Sequence, residues 1–237
     1  RRIAEDLDGA FYHTSMIVPN TGIVHDRVAV QVFKGCTRGC RFCQAGIIDR
    51  PLRERSAESV CEQVKGLLAS TGWEEVGLLS LATCDWNGLP EAMEKFAPML
   101  ADNQIKLSLP SLRVDAFSVN LAAGLESMRK GGLTFAPEAG TQRLRDVINK
   151  GVTDEAIEAA LDETFSHGWD RVKLYFMMGL PTETAEDLAG ILEICNRAVS
   201  IAKRHKRRGD VNASVIGPYD KPKVRLPGGA GSAVLIP

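Results

Sequence analysis

No apolar run in this chain of 237 residues is long enough to span a membrane, and its first residues show no basic-then-apolar signal. The charge is equally plain. Lysine plus arginine number 29 against 30 aspartates and glutamates, which exerts no general pull on nucleic acid or acidic lipid. There is no initiator methionine; the chain opens Arg1-Arg2-Ile3 and is expected to belong to something longer. Six cysteines are present, and they do not form the framework of a disulfide-stapled domain. Three are clustered, while Cys61, Cys84 and Cys195 are scattered through apolar segments. A reducing, cytoplasmic setting is the expectation.

What stands out is the run Gly35-Cys36-Thr37-Arg38-Gly39-Cys40-Arg41-Phe42-Cys43, directly after a β-rich stretch. Its spacing is C-x3-C-x2-C, and no fourth cysteine follows nearby. Clusters that carry electrons or brace a fold normally use four cysteines, so three leave one iron open to a small molecule. Gly35 and Gly39 let the backbone wrap closely around such a group. Arg38 and Arg41 would stabilise the thiolates. The competing reading is a zinc site completed by His25 or Cys61, although zinc ligands more often come as two separated pairs.

Strand and helix patterns alternate along the chain. Strands are expected at Val28 to Phe33, Val76 to Ala82, Ile105 to Leu109, Leu133 to Ala136, Val172 to Met178 and Val211 to Ile216. Ser56, Thr153 and the Thr184/Asp187 pair can cap helices. The last of these helices is expected to turn Leu188, Ile191, Leu192 and Cys195 inward. Pro90 can open a helix that Pro98 should kink or shorten, and residues 116–130 are a further helical stretch. Repeated strand–helix units imply parallel strands joined by right-handed crossovers. Unusual residues follow each of the first five strands, and in a barrel they would meet at one rim. The expected fold is therefore α/β, a partial (β/α)6-type TIM barrel truncated at its C-terminal end. Residues 1–26 form a lead-in, residues 27–215 the core domain and residues 216–237 a Gly/Pro-rich tail.

The cysteine run, with its aromatic Phe42 before the third cysteine, resembles the signature of the radical S-adenosylmethionine superfamily. That resemblance implies a [4Fe–4S] cluster on Cys36, Cys40 and Cys43. It also implies S-adenosylmethionine bound at the open iron and cleaved by one electron to a 5′-deoxyadenosyl radical, with a reductant such as flavodoxin or ferredoxin. Thr83-Cys84-Asp85 resembles the family's short polar loop, usually Gly-Gly-Glu, at the methionine amino group. It would place Thr83 and Asp85 there. Glu138 resembles the acidic residue that reaches the ribose, and Arg113 and Arg145 would pair with the methionine carboxylate. The runs VHDRVAVQVFKGCTRGCRFCQAG, TFAPEAGTQRLRDVINKGVT and LYFMMGLPTET are similar to cobalamin-type radical enzymes of unassigned function. A cobalamin-binding domain is expected to be missing from this chain. A more distant likeness to tRNA methylthiotransferases raises RNA as a substrate class, and the basic run at 203–208 would be its contact. The segment from Val215 to Ser232 resembles a glutaconate-type CoA-transferase β subunit, but that family's glutamate nucleophile is absent. The alternative function is an inactive fragment with a structural metal or iron–sulfur site. The substrate is not legible in any motif.

Overall fold

The computed structural model describes residues 3–23, 26–108 and 133–217. The expected helix at 116–130, Arg113 and the tail beyond Gly217 lie outside these residues. Eight strands occur in the described chain: β1 (Val28–Gln31), β2 (Phe33–Lys34), β3 (Arg53–Glu54), β4 (Glu75–Leu79), β5 (Lys106–Ser108), β6 (Leu133–Glu138), β7 (Arg171–Met177) and β8 (Asp210–Ile216). The helices are α1 (Ala45–Ile48), α2 (Ala57–Thr71), α3 (Leu89–Asp102), α4 (Gln142–Val147), α5 (Asp154–Ser166) and α6 (Ala185–Arg204).

Two parallel sheets dominate, in the orders β1-β4-β5 and β6-β7-β8, and β2 pairs antiparallel with β3. The architecture is α/β with parallel strands. Among the described residues neither sheet closes on itself. The single strand expected at Val28 to Phe33 is split. Its first four residues join β4, and Phe33 turns away to pair with Glu54. The stretch expected as strand up to Ala82 ends at Leu79. A 3-10 turn over Thr83–Asp85 follows.

The caps expected at Ser56, Thr153 and Thr184 are present, and Thr141 adds a fourth that was not expected. The hydroxyls of Ser56, Thr141, Thr153 and Thr184 each accept from a backbone N–H in the first turn of α2, α4, α5 and α6. The α2 helix ends at Gly72, whose φ of 70° is the left-handed conformation suited to glycine. Two expectations about helices need correction. The α3 helix runs through Pro98 to Asp102, because Phe96 and Leu100 on either side are fully buried and hold the last turn. In α6, Leu192 is 68% exposed. The inward stripe is Ile191, Ile194, Ala198 and Ile201, spaced three and four residues apart.

The lead-in segment is lashed to the start and side of α2. The Asp8 carboxylate accepts from the Ser56 N–H at 3.0 and 3.1 Å. Arg53 donates to the Ala4 carbonyl at 3.1 Å, Arg55 to that of Leu7, and the Ser70 hydroxyl to that of Thr14.

Candidate active site

The cysteine loop leaves β2 at Gly35. Here φ is +100°, and a Cβ would stand 2.8 Å from the carbonyl oxygens of Asp49 and Pro51. Only glycine fits, since other residues are strained at this φ and would meet backbone as well. Gly39 repeats the left-handed turn at φ +73°. The loop is then clamped from outside. Arg41 N–H donates to the Ile148 carbonyl at 2.9 Å, its guanidinium to that of Val147, and the Asn149 amide to that of Gly39 at 2.9 Å. These contacts bind the loop to the end of α4, more than a hundred residues away in sequence.

None of the three cysteines is in a disulfide; Cys40 is buried and Cys36 and Cys43 are half-buried. Backbone N–H groups turn toward two of the sulfurs: Gly46 to Cys43 Sγ at 3.3 Å and Arg38 to Cys36 Sγ at 3.5 Å. A Cβ at Gly46 would stand 3.5 Å from Cys43 Sγ and 3.8 Å from Cys36 Cβ, so these side chains share one small space. Three thiols on a glycine-wrapped loop, with amide donors at the sulfurs, fit a group bearing negative charge on sulfur. Among the described residues no three His, Cys, Asp or Glu converge as a single metal ion requires. A cubane meets its thiolates at separate corners and does not need that convergence. Cys61 and Cys195 lie apart in apolar surroundings, and burial pushes both thiols up.

The two arginines of the loop also reach other elements: Arg41 the Val147 carbonyl, and Arg38 the turn after β4. Arg38 forms a two-pronged pair with Asp85, Nε to Oδ2 at 2.8 Å and Nη2 to Oδ1 at 2.5 Å. This pair joins the cysteine loop to the turn after β4. Thr83 is fully buried, its hydroxyl 2.8 Å from that of Ser80, and it shapes that turn from inside.

Glu138 ends β6 and is not part of a loop. A register irregularity between Phe135 and Glu138 places it level with Phe176, at φ +72°. Its carboxylate accepts from Lys150 Nζ at 3.2 Å, and both residues are 8% exposed. The same ammonium lies 5.9 Å from the centre of the Phe42 ring. Phe42 in turn packs on Ala139, Leu144, Ile148, Met177 and Leu180. Lys150 thus touches the cysteine loop on one side and the end of β6 on the other. The sequence reading missed it; the only signal was a lysine three residues past a helix end, beside Gly151. Replacing Lys150 by methionine leaves a carboxylate buried without its ammonium. The expected cost is about 3 kcal/mol, measured by urea unfolding, with part regained in the double variant with Glu138→Gln.

Arg145 has a different place from the one its resemblance implied. It is fully buried, and its guanidinium donates to the carbonyls of Val152 (2.8 Å) and Ala139 (3.2 Å), to Gln142 (3.3 Å) and to Asp154 (2.5 Å). These bonds pin α4 to the start of α5. Arg113 lies outside the described residues. The basic run at 203–208 is also engaged. Arg204 and His205 pair with Asp162 at 3.3 and 2.9 Å, and Arg207 donates to the Phe165 carbonyl at 3.4 Å. These contacts fasten the end of α6 to α5.

The loops after β6 and β7 are held together by Asp187, which is 2% exposed. Burial alone would raise its carboxyl. Hydrogen bonds from the Thr141 hydroxyl, the Thr184 N–H, Arg143 and the Thr184 hydroxyl overcome that and hold it at about 2. A carboxyl lowered from 3.8 to about 2 contributes about 2 kcal/mol above pH 5. The contribution is lost as pH falls from about 5 to 2, because the unfolded chain takes up the proton first. Asp187→Asn is therefore expected to lower stability at pH 7 by about 2 kcal/mol and to flatten the acid limb of the stability curve.

A family model described as the Radical SAM superfamily matches residues 30–195. An uncharacterized protein of Methanocaldococcus jannaschii, MJ0966, is 30% identical over 80% of this chain and 40% of its own length. The ribosomal protein uS12 methylthiotransferase RimO of Desulfotalea psychrophila is 26% identical over 70% of this chain and 39% of its own. The chain thus spans about two fifths of these relatives. Among solved structures, the radical S-adenosylmethionine methyltransferase TsrM of Kitasatospora setae, with cobalamin and a [4Fe–4S] cluster bound, superposes with a TM-score of 0.59. It is 16% identical, over 79% of this chain and 36% of its own. With its cysteine loop, its parallel strands and a family match over most of its length, the chain belongs to the radical SAM superfamily of enzymes.

Proposed function

We propose that residues 27–215 form the core of an enzyme that binds a [4Fe–4S] cluster through Cys36, Cys40 and Cys43 and cleaves S-adenosylmethionine reductively. The observation that carries this reading is the loop itself: three thiols on a glycine-wrapped turn, with backbone amides at two sulfurs and with Asp85 and Glu138 tied to it through Arg38 and Lys150. When bound, the cluster supplies the electron that converts S-adenosylmethionine to a 5′-deoxyadenosyl radical. The chain's own residues hold and orient. Cys36, Cys40 and Cys43 fix three corners. Glu138, facing inward at the end of β6, accepts from the ribose hydroxyls. Asp85 keeps an acceptor position on each oxygen beyond those used by Arg38, and it receives the methionine ammonium. Phe42 closes the apolar side of the loop and excludes water there.

The six parallel strands β1, β4, β5, β6, β7 and β8 support an incomplete barrel in which the two sheets are successive arcs. Residues 1–26 act as a brace and residues 216–237 as a tail without CoA-transferase activity. The electron donor is a flavodoxin or ferredoxin, and the setting is cytoplasmic. Electron paramagnetic resonance tests the reading. In the reconstituted, reduced protein, S-adenosylmethionine should shift the cluster signal, and Glu138→Gln should raise the concentration required by about tenfold. A signal indifferent to S-adenosylmethionine would overturn it.

A further inference from the structure

The sheet β6-β7-β8 has two unlike faces. Leu133, Phe135, Val172, Leu174 and Phe176 point into the main core and are buried. The alternate residues form rows fixed by strand register: Arg171 beside Asp210, then Thr134, Lys173 and Asn212, then Tyr175 and Ser214. Every one of them is half-buried or exposed. Only in the top row, Met177 and Ile216, does this face turn apolar. Parallel sheets are normally covered on both faces and apolar on both. A face built mostly from hydrogen-bonding side chains suits a sheet that lines a site for a polar molecule.

The charge on this face has a sign. Lys173 Nζ rests 4.7 Å from the centre of the Tyr175 ring, and among the described residues no carboxylate pairs with it. The one acid on the face, Asp210, stands a row away opposite Arg171 and is approached by Arg208 at 3.8 Å. Two cations therefore face one acid that already has partners. Height along the strand matters too. Glu138 is level with Phe176, so Tyr175 and Lys173 lie roughly 3 and 10 Å below it at the strand rise. Lys173 and Tyr175 stand on the face opposite Phe176, on the strand that pairs with β6.

We propose that this face binds an anionic group of the substrate, a carboxylate or a phosphate. Lys173 is its counter-ion, and Thr134, Asn212, Ser214 and Tyr175 are hydrogen-bond donors around it. The assignment rests on the proposed function for its catalytic meaning, but anion binding can be read without any cleavage of S-adenosylmethionine.

The test is acetylation of lysines in the whole chain, followed residue by residue with mass spectrometry. Inorganic phosphate and succinate are the probes, with chloride at matched ionic strength as the reference. Phosphate or succinate should slow Lys173 labelling roughly fivefold once several times its Kd, while exposed Lys203 keeps its rate. Protection by phosphate alone or succinate alone identifies the anion class. In Ser214→Ala the protection should weaken while Lys203 labelling and the circular dichroism stay unchanged. Lys173 labelling that responds to neither anion beyond chloride would overturn the proposal. Protection in a protein that never cleaves S-adenosylmethionine would leave the anion site standing and remove only the radical reading.

Discussion

Cys40→Ala should yield a protein that folds but retains no [4Fe–4S] cluster after anaerobic reconstitution. Iron and sulfide should fall to background, and the broad cluster absorption should vanish. Cys40 is the buried member of the three, and its carbonyl accepts from the Cys43 N–H at 3.0 Å. Truncation to alanine keeps that turn and removes only the sulfur. With two thiols left, two irons lack protein ligands, and the short connection offers no replacement. Cys84 and Cys61 sit on other elements, where each packs on the main core. The fold should survive, because the loop is also held by Arg41, Asn149 and the backbone of α4. Urea unfolding within about 1 kcal/mol of the parent protein would establish that the loss is one of ligation.

Gly140→Val is expected to have the second largest effect, on stability. A Cβ at Gly140 would fall 2.3 Å from the Asp187 carbonyl oxygen and 2.4 Å from the Ile191 N–H, both backbone atoms of α6. From the other side, a Cβ at Gly190 would meet the Gly140 carbonyl oxygen at 2.7 Å. Two chains cross here with no side chain between them. No rotamer relieves a clash between a Cβ and backbone, so the loop after β6 must part from α6. That separation breaks the Thr141 and Arg143 contacts to Asp187 and moves Glu138, two residues away, off its bulge. A loss of about 3 kcal/mol or more is expected, read as a lower urea midpoint. Gly190→Val should behave alike, and the pair should be less than additive because both remove one crossing.

The parts of this molecule that sequence revealed are those encoded locally. Ser56, Thr153 and Thr184 cap the helices they precede, and the strand expected at Val172 to Met178 is β7, in a parallel sheet with partners on both sides, although its residues alternate where an apolar run on both faces was expected. The cysteine spacing, with Phe42 and the two glycines, pointed to the family before any coordinates. Polar side chains were harder to place, because a guanidinium or carboxylate reaches partners that sequence does not put beside it. Arg38 meets Asp85 across 47 residues, and Arg143 meets Asp187 across 44. Arg145 has the composition of an anion-binding residue, but its five donors are turned inward by Val152, Ala139, Gln142 and Asp154. Lys150 escaped notice for the same reason. Its importance comes from the partner that the β6 bulge brings to it. Leu192 shows the limit of apolar counting, since a stripe of three and four residues leaves it on the outer side of α6.

The central claim is that the loop of Cys36, Cys40 and Cys43 serves radical chemistry. Its most direct test is 5′-deoxyadenosine formation by the anaerobically reconstituted, reduced chain supplied with S-adenosylmethionine. The account predicts 5′-deoxyadenosine from the parent protein and none from Cys40→Ala. A parent protein with a full complement of iron and sulfide that releases no 5′-deoxyadenosine would contradict it.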